Sequence, residues 1–152
     1  MARRDRPSPA GLAAWEGFLR THLALTRRLD DELVERHGLP LDWYDVLVQL
    51  HDAGGEATMG ELATRLLISP STCTRVVGRM ADAGLVERRV DPLDARVRHA
   101  ALTRDGKARL REAAVTHLRG VQRHFARFVP DDTASKLSEH FEAMRDSAGA
   151  GD

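Results

Sequence analysis

TMGELATRLLISPSTCTRVVGRMADAGLVERRVDPLDARVRHAALTRDG, residues 58–106, reads as two short helices, a tight turn and a basic hairpin. Thr58 is placed to cap a helix whose apolar positions Met59, Leu62, Ala63 and Leu66 recur at helical spacing, and Glu61 completes a capping box. After a break at Leu67-Ile68, Ser69 is a second cap and Pro70 sits at the first helical position, where its missing N–H costs nothing. Val76, Val77 and Met80 give this second helix its apolar side, and Gly84 stops it.

The second helix gathers Ser69, Ser71, Thr72, Thr74, Arg75 and Arg79. Small hydroxyls with an arginine at a helix N-terminal end suit the major groove, because they let the backbone approach base edges. The same residues also favour helix initiation for local reasons, so the helix pair alone does not decide. The next segment decides. Residues 85–90 and 97–102 are strand-like, with turn chemistry at Asp91-Pro92-Leu93-Asp94-Ala95 between them. Arg96 and Arg98 sit on this hairpin, and Asp94 is spaced to orient the Arg96 guanidinium for a narrow, electronegative minor groove. Helix, turn, helix and hairpin make a winged helix-turn-helix, which predicts a double-stranded DNA partner.

These residues resemble the MarR (multiple antibiotic resistance regulator) family of bacterial transcription factors. Asp94-Ala95-Arg96 followed by Leu102-Thr103-Arg104-Asp105-Gly106 is similar to the family's wing signature, and Gly84 to Arg88 and Met59 to Ala63 are similar to its usual wording. The resemblance runs from about Trp15 to Met144. It implies that Arg96 enters the minor groove, that the Ser69 to Arg79 stretch reads the major groove, and that the first and last two helices of two subunits interlock. It also implies a small aromatic or anionic effector bound between the dimer helices and the DNA module, with Trp15, His22, Trp43, Tyr44 and Asp45 on the corresponding helices.

The flanks are helical by periodicity. Leu12, Trp15, Phe18, Leu19, His22, Leu25, Leu29 and Leu33 describe one long helix ending at His37-Gly38; Asp42 is placed to start a second, closed by Gly54-Gly55. Thr103 caps a helix expected to carry Leu110 through Phe128 and to end at Pro130, and Asp131-Asp132-Thr133 begins the last one, which frays from Ser147. The expected fold class is mainly α with a small β-hairpin wing. Residues 1–152 form a single domain of MarR type, with 41–103 as the winged helix-turn-helix and 10–37 with 104–146 as a helical dimerisation region. Broad apolar faces on the terminal helices predict a homodimer and hence a pseudo-palindromic operator.

Composition agrees. A chain of 152 residues with 42% hydrophobic and 30% charged residues builds an ordinary core, and no apolar run is long enough to span a bilayer. Net charge is +0, but the stretch from Thr58 to Lys107 carries nine basic and six acidic residues, a net of +3. The N-terminal MARRDRP is followed by no apolar h-region, so it reads as a polar tail and the expected location is cytoplasmic. Phosphate loop, His-Glu-x-x-His and nucleophile elbow are all missing from the sequence, so no catalytic residue and no cofactor is expected. Cys73, the single cysteine, reads as a packing residue, and His117 and His124 lack a ligand partner at the right spacing, so no metal site is expected. The expectation is a homodimeric repressor released by a small molecule. The alternatives are a redox- or metal-responsive regulator of the same fold and a winged-helix protein-interaction module, against which arginines on both helix and wing argue.

Overall fold

In the computed structural model, which describes residues 6–149, the chain divides into two units, one running to His117 and one starting at Leu118. The first contains α1 (Pro9–His37), α2 (Leu41–Asp52), β1 (Glu56–Thr58), α3 (Met59–Leu66), α4 (Pro70–Asp82), β2 (Val86–Val90), β3 (Arg98–Leu102) and the start of α5 (Arg104–His124). The second contains the rest of α5, a single 3-10 turn (Ala126–Phe128) and α6 (Asp131–Gly149). The fold class is that expected from the sequence, mainly helical with a small antiparallel sheet.

Local chemistry sets the helix-turn-helix. Thr58 Oγ1 accepts from Glu61 N at 3.2 Å and the Glu61 carboxylate accepts from Thr58 N at 2.9 Å, which closes the capping box of α3. The Thr58 N–H bond, joined by one from the Thr58 hydroxyl at 2.9 Å, stabilises the ionised carboxylate and holds Glu61 below the usual carboxylate range. Leu67 ends the helix in the left-handed region at φ 55°, and Ser69 Oγ accepts from Thr72 N at 3.2 Å to start α4 behind Pro70.

Tertiary structure supplies what the sequence did not display. The wing is a three-stranded sheet in the order β1-β3-β2, where the sequence predicts two strands; β1 pairs Glu56, Ala57 and Thr58 with Ala101, Ala100 and His99. Asp42 lies inside α2 and does not start it. The helix begins after Pro40, and the Leu41 N–H is met at 2.8 Å by Asp30 Oδ1 from α1. α5 stops at His124, short of the expected Phe128, and the last turn is 3-10. Ser147 to Gly149 are helical, against the expected fraying; residues 1–5, the polar tail, and residues 150–152 lie outside the described residues.

The core of the first unit is built from Leu33 of α1, Leu39, Val46, Leu47 and Leu50 of α2 and its entry, Leu62 of α3, Cys73, Val77 and Met80 of α4, and Val86 of β2, all essentially removed from solvent. Each such Leu contributes roughly 1.5–3 kcal/mol relative to exposure. α1 gives little else to this core. Leu12, Trp15, Phe18, Leu19 and Leu23 on its N-terminal half are all exposed, Leu23 by 64%. Within the second unit Phe128 and Met144 are likewise exposed.

The end of the wing is locked by Thr103 and Gly106. Thr103 Oγ1 lies 2.7 Å from Gly84 O and 3.0 Å from Leu85 O, and accepts from Gly106 N at 2.9 Å. Gly106 is buried in the first turn of α5, where a Cβ would sit 2.0 Å from the Leu85 carbonyl oxygen. The Leu-Thr-x-x-Gly run is therefore a packing device that seats the start of α5 on the turn after α4.

Candidate nucleic-acid interface

α4 has two faces of opposite character. Cys73, Val76, Val77 and Met80 are buried, whereas Ser69, Ser71, Thr74, Arg75 and Arg79 are exposed and Thr72 is half-buried. The hydroxyls are partly committed to the helix itself. Ser69 Oγ donates to Thr72 Oγ1 at 2.9 Å and lies 3.1 Å from Ser71 Oγ, and Thr74 Oγ1 donates to Pro70 O at 3.0 Å. Arg75 and Arg79 form no ion pair among the described residues, so their guanidinium donors face solvent.

The wing presents Arg96 most openly, its side chain 92% exposed. Asp94 Oδ1 accepts from Arg96 N at 3.0 Å and from Nε at 3.3 Å, the pairing expected from their spacing. One carboxylate oxygen thus fixes both the backbone and the stem of the guanidinium, leaving its terminal nitrogens free of it. Arg98 is exposed at the start of β3, opposite Val90 of β2. Arg89, in contrast, is spent on carboxylates, with Glu56 at 3.0 Å and Glu87 at 2.9 Å.

The five residues proposed for an effector do not gather in one cavity of the single chain. Trp15 and His22 flank Phe18 in a stack on the exposed face of α1, with ring centroids 6.1 and 6.2 Å apart. Trp43 borders a cavity of 440 Å³ with Leu39, Leu85 and Arg109, while Asp45 is exposed on α2. Tyr44 alone reaches the larger cavity, 580 Å³, between α2 and the first turns of α5. Its other walls combine Val48, Leu110 and Ala114 with the cationic or titratable His51, Lys107 and Arg111, which the sequence did not single out because they share no local motif. Beside the cavity, the buried ring of Tyr44 tilts against His117 at 4.5 Å; burial, then Asp45 and Asp52, pushes its phenol up. His117 Nδ1 is buried without a partner, and burial depresses the ring's basicity.

Two further groups are perturbed. The Cys73 thiol is buried and pushed up by that burial, an environment that disfavours the reactive thiolate. Although Asp45 keeps an exposed surface, the protein packed around its carboxyl, reinforced by the charge on Asp42, lifts it to about 6. The folded chain thus binds that proton more readily than the unfolded chain does, and the stability associated with it is present in acid and lost as pH rises through about 6. Asp45→Asn is therefore expected to melt at a higher temperature than wild type at pH well above 6, with the gap closing in acid; equal melting curves at high pH would show that the carboxylate is not under strain.

The profile of the MarR family matches residues 37–97. Among solved structures, the chain is similar to AbsC, a MarR family transcriptional regulator from Streptomyces coelicolor, at 27% identity and a TM-score of 0.88, covering 95% of this chain and 98% of that one. It is also similar to Sco3205, a MarR family regulator of the same organism solved in complex with DNA, at 24% identity and a TM-score of 0.89 over 97% of this chain and 92% of that one. A third likeness is to the organohalide-sensing regulator RdhR-CbdbA1625 in its 2,4-dichlorophenol-bound form, at 19% identity and a TM-score of 0.80, with 97% and 89% covered.

Proposed function

We propose that the chain is a winged-helix DNA-binding transcription regulator of the MarR family and not an enzyme, a homodimeric cytoplasmic repressor of a pseudo-palindromic operator, released by a small aromatic anion. The observation that carries the DNA reading is the pair of exposed basic surfaces, Arg75 and Arg79 on α4 and Arg96 on the wing tip. In this reading residues 41–103 dock on DNA, with Ser71, Thr72, Thr74 and Arg75 toward major-groove base edges, Ser69 capping their helix, Arg79 and Arg98 toward phosphate, and Arg96, held by Asp94, in the minor groove. That Sco3205, of similar fold, was solved in complex with DNA supports a DNA partner. No helix among the described residues is long and apolar enough to cross a membrane.

Residues 10–37 and 104–146 serve as the dimerisation region. A second copy is the occupant that accounts for Leu12, Trp15, Phe18, Leu19 and Leu23, an exposed apolar row at helical spacing on the N-terminal half of α1. Dimerisation also sets two recognition helices about 10 bp apart on one DNA face. Leu23→Glu, at a position open to solvent in the single chain, is expected to leave circular dichroism unchanged, convert a dimer to a monomer in sedimentation velocity, and weaken operator binding by about a hundredfold or more through loss of the second half-site. A wild-type protein sedimenting as a monomer would contradict the dimer.

For the effector, the support is the cavity between α2 and α5, whose walls set one aromatic ring and apolar side chains beside Lys107 and Arg111. The dichlorophenol complex of RdhR-CbdbA1625 is consistent with an aromatic ligand on this fold. In a panel of benzoates, phenols and neutral analogues, the anions are expected to raise the melting temperature and release the operator, with Arg111→Ala blunting both. Release by the neutral analogues alone would overturn the assignment.

A further inference from the structure

The wing is tied to the body of the sheet by a histidine that meets two carboxylates at once. His99 of β3 places Nδ1 3.2 Å from Glu56 Oε1 on β1 and Nε2 3.0 Å from Asp91 Oδ2 at the β2–β3 turn. The Nε2–Asp91 contact is a hydrogen bond and the Nδ1–Glu56 contact an ion-pair approach, so a neutral ring holds Asp91 alone and only the imidazolium attracts both carboxylates. Asp91 is the turn's anchor. Its Oδ1 accepts from Leu93 N at 2.8 Å and Asp94 N at 3.1 Å, and the three contacts together hold its carboxyl below the ordinary range. Asp94 in turn fixes Arg96. A continuous path therefore runs from Glu56 through His99, Asp91 and the turn amides to the guanidinium at the wing tip.

The charged groups facing the ring come from four places. Glu56 lies on β1, Asp91 at the turn, Glu61 on α3 within electrostatic reach, and Arg89 on β2 directly across in the strand register. Arg89 is already bound by Glu56 and Glu87. The ring is thus the link between the Glu56 and Asp91 carboxylates, and no arginine bridges that pair among the described residues.

We propose that His99 is a proton-dependent positioning residue: charged, it clamps Asp91 to Glu56 and fixes the wing that carries Arg96; neutral, it lets go of one carboxylate, loosens the wing and weakens operator binding as pH rises. The proposal rests on the DNA-binding reading of the wing, and its sign follows from charge, since only the protonated ring attracts Glu56 while it bonds Asp91.

The test begins on the free protein. Across about pH 5.5 to 8.5, where imidazoles titrate, NMR of the His99 ring nitrogens and of the Leu93 and Asp94 amides is expected to show all of them moving with one midpoint, and the two amides losing that response in His99→Gln. Over the same range wild-type affinity for a selected operator fragment is expected to fall about three- to tenfold, the scale of losing part of one charge-assisted bond, while His99→Gln gives a flat profile. Glu56→Gln, which removes one of the two charges at constant size, is expected to flatten the profile as well and serves if His99→Gln does not fold. Turn amides indifferent to the His99 titration, or one shared pH profile for wild type and both variants, would overturn the clamp. Absence of operator binding at every pH would instead remove the DNA-binding reading, with the NMR titration still deciding whether the clamp exists.

Discussion

Gly106→Ala is expected to destabilise the protein by about 3 kcal/mol, near the upper end of overpacking costs, and to lower its melting temperature by roughly 6–12 °C for a chain of this size. Helix propensity points the other way, because alanine is better than glycine inside a helix by about 1 kcal/mol. The clash decides the sign. A Cβ at this position would stand 2.0 Å from Leu85 O and 3.1 Å from the carbonyl carbon, and the obstruction is backbone, not the free end of a side chain. Leu85 O has no room to retreat without cost, since it accepts from Thr103 N at 3.2 Å and lies 3.0 Å from Thr103 Oγ1. Relief requires prising the start of α5 off the turn after α4, which breaks the Thr103 bonds to Gly84 and Gly106. Thermal unfolding followed by far-UV circular dichroism measures the effect. An alanine variant as stable as wild type, or more stable, would mean that the α5 seat is looser than described.

The second large effect is on binding. Arg96→Ala is expected to leave the melting temperature unchanged, because the side chain is 92% exposed and its one ion pair, with Asp94, is a surface pair. Operator affinity, however, is expected to fall by roughly ten- to a hundredfold, as the proposed dimer would lose groove contacts together worth about 1–3 kcal/mol, and the salt dependence of log K is expected to become shallower by about one for each arginine lost. The loss extends to non-specific DNA, since electrostatics in a narrow groove carry little base information. Arg75→Ala behaves differently. Placed on the exposed face of α4, it is expected to relax base preference at one position of each half-site by about 1–3 kcal/mol while changing the salt slope less. Fluorescence anisotropy against a selected operator and a scrambled duplex at several salt concentrations separates the two. Wild-type affinity in both variants would show that α4 and the wing are not the docking surfaces.

What was legible in the sequence was local. The capping box of Thr58 and Glu61, the Ser69-Pro70 start of α4 and the positive φ of 76° at Gly84 are each decided by residues within one helical turn, so spacing alone reveals them. The Asp94–Arg96 pair belongs to the same class. What was not legible depends on residues brought together from far along the chain. β1 is three residues long, too short for an alternation to register, and it exists because β3 offers a paired edge. The N-terminus of α2 is capped by Asp30 from a different helix, so the nearby Asp42 misled. The cluster of Glu56, Asp91 and His99 requires that missed strand and the register of both pairings. Among the effector residues, aromatic character was readable but cavity membership was not, because it depends on where α5 crosses α2; Tyr44 reaches the larger cavity while Trp15, His22 and Asp45 do not.

The charge pattern illustrates the same division. A net charge of +0 would argue against a nucleic-acid partner if the molecule were featureless. Structure changes the weighting, because Arg89 is neutralised by two carboxylates at the base of the wing while Arg75, Arg79 and Arg98 carry no such partner among the described residues and Arg96 carries one that leaves its outer nitrogens open. Exposed arginine with open donors therefore lies on both α4 and the wing tip.

The most direct test of a dimeric, sequence-reading DNA protein is selection of bound fragments from a random duplex library by the purified protein, followed by footprinting of the enriched sequence. One dominant pseudo-palindrome is expected, with half-sites about 10 bp apart, protected on one face by two copies of the chain. Recovery of no common sequence, or of a site without a dyad bound by a single copy, would contradict it.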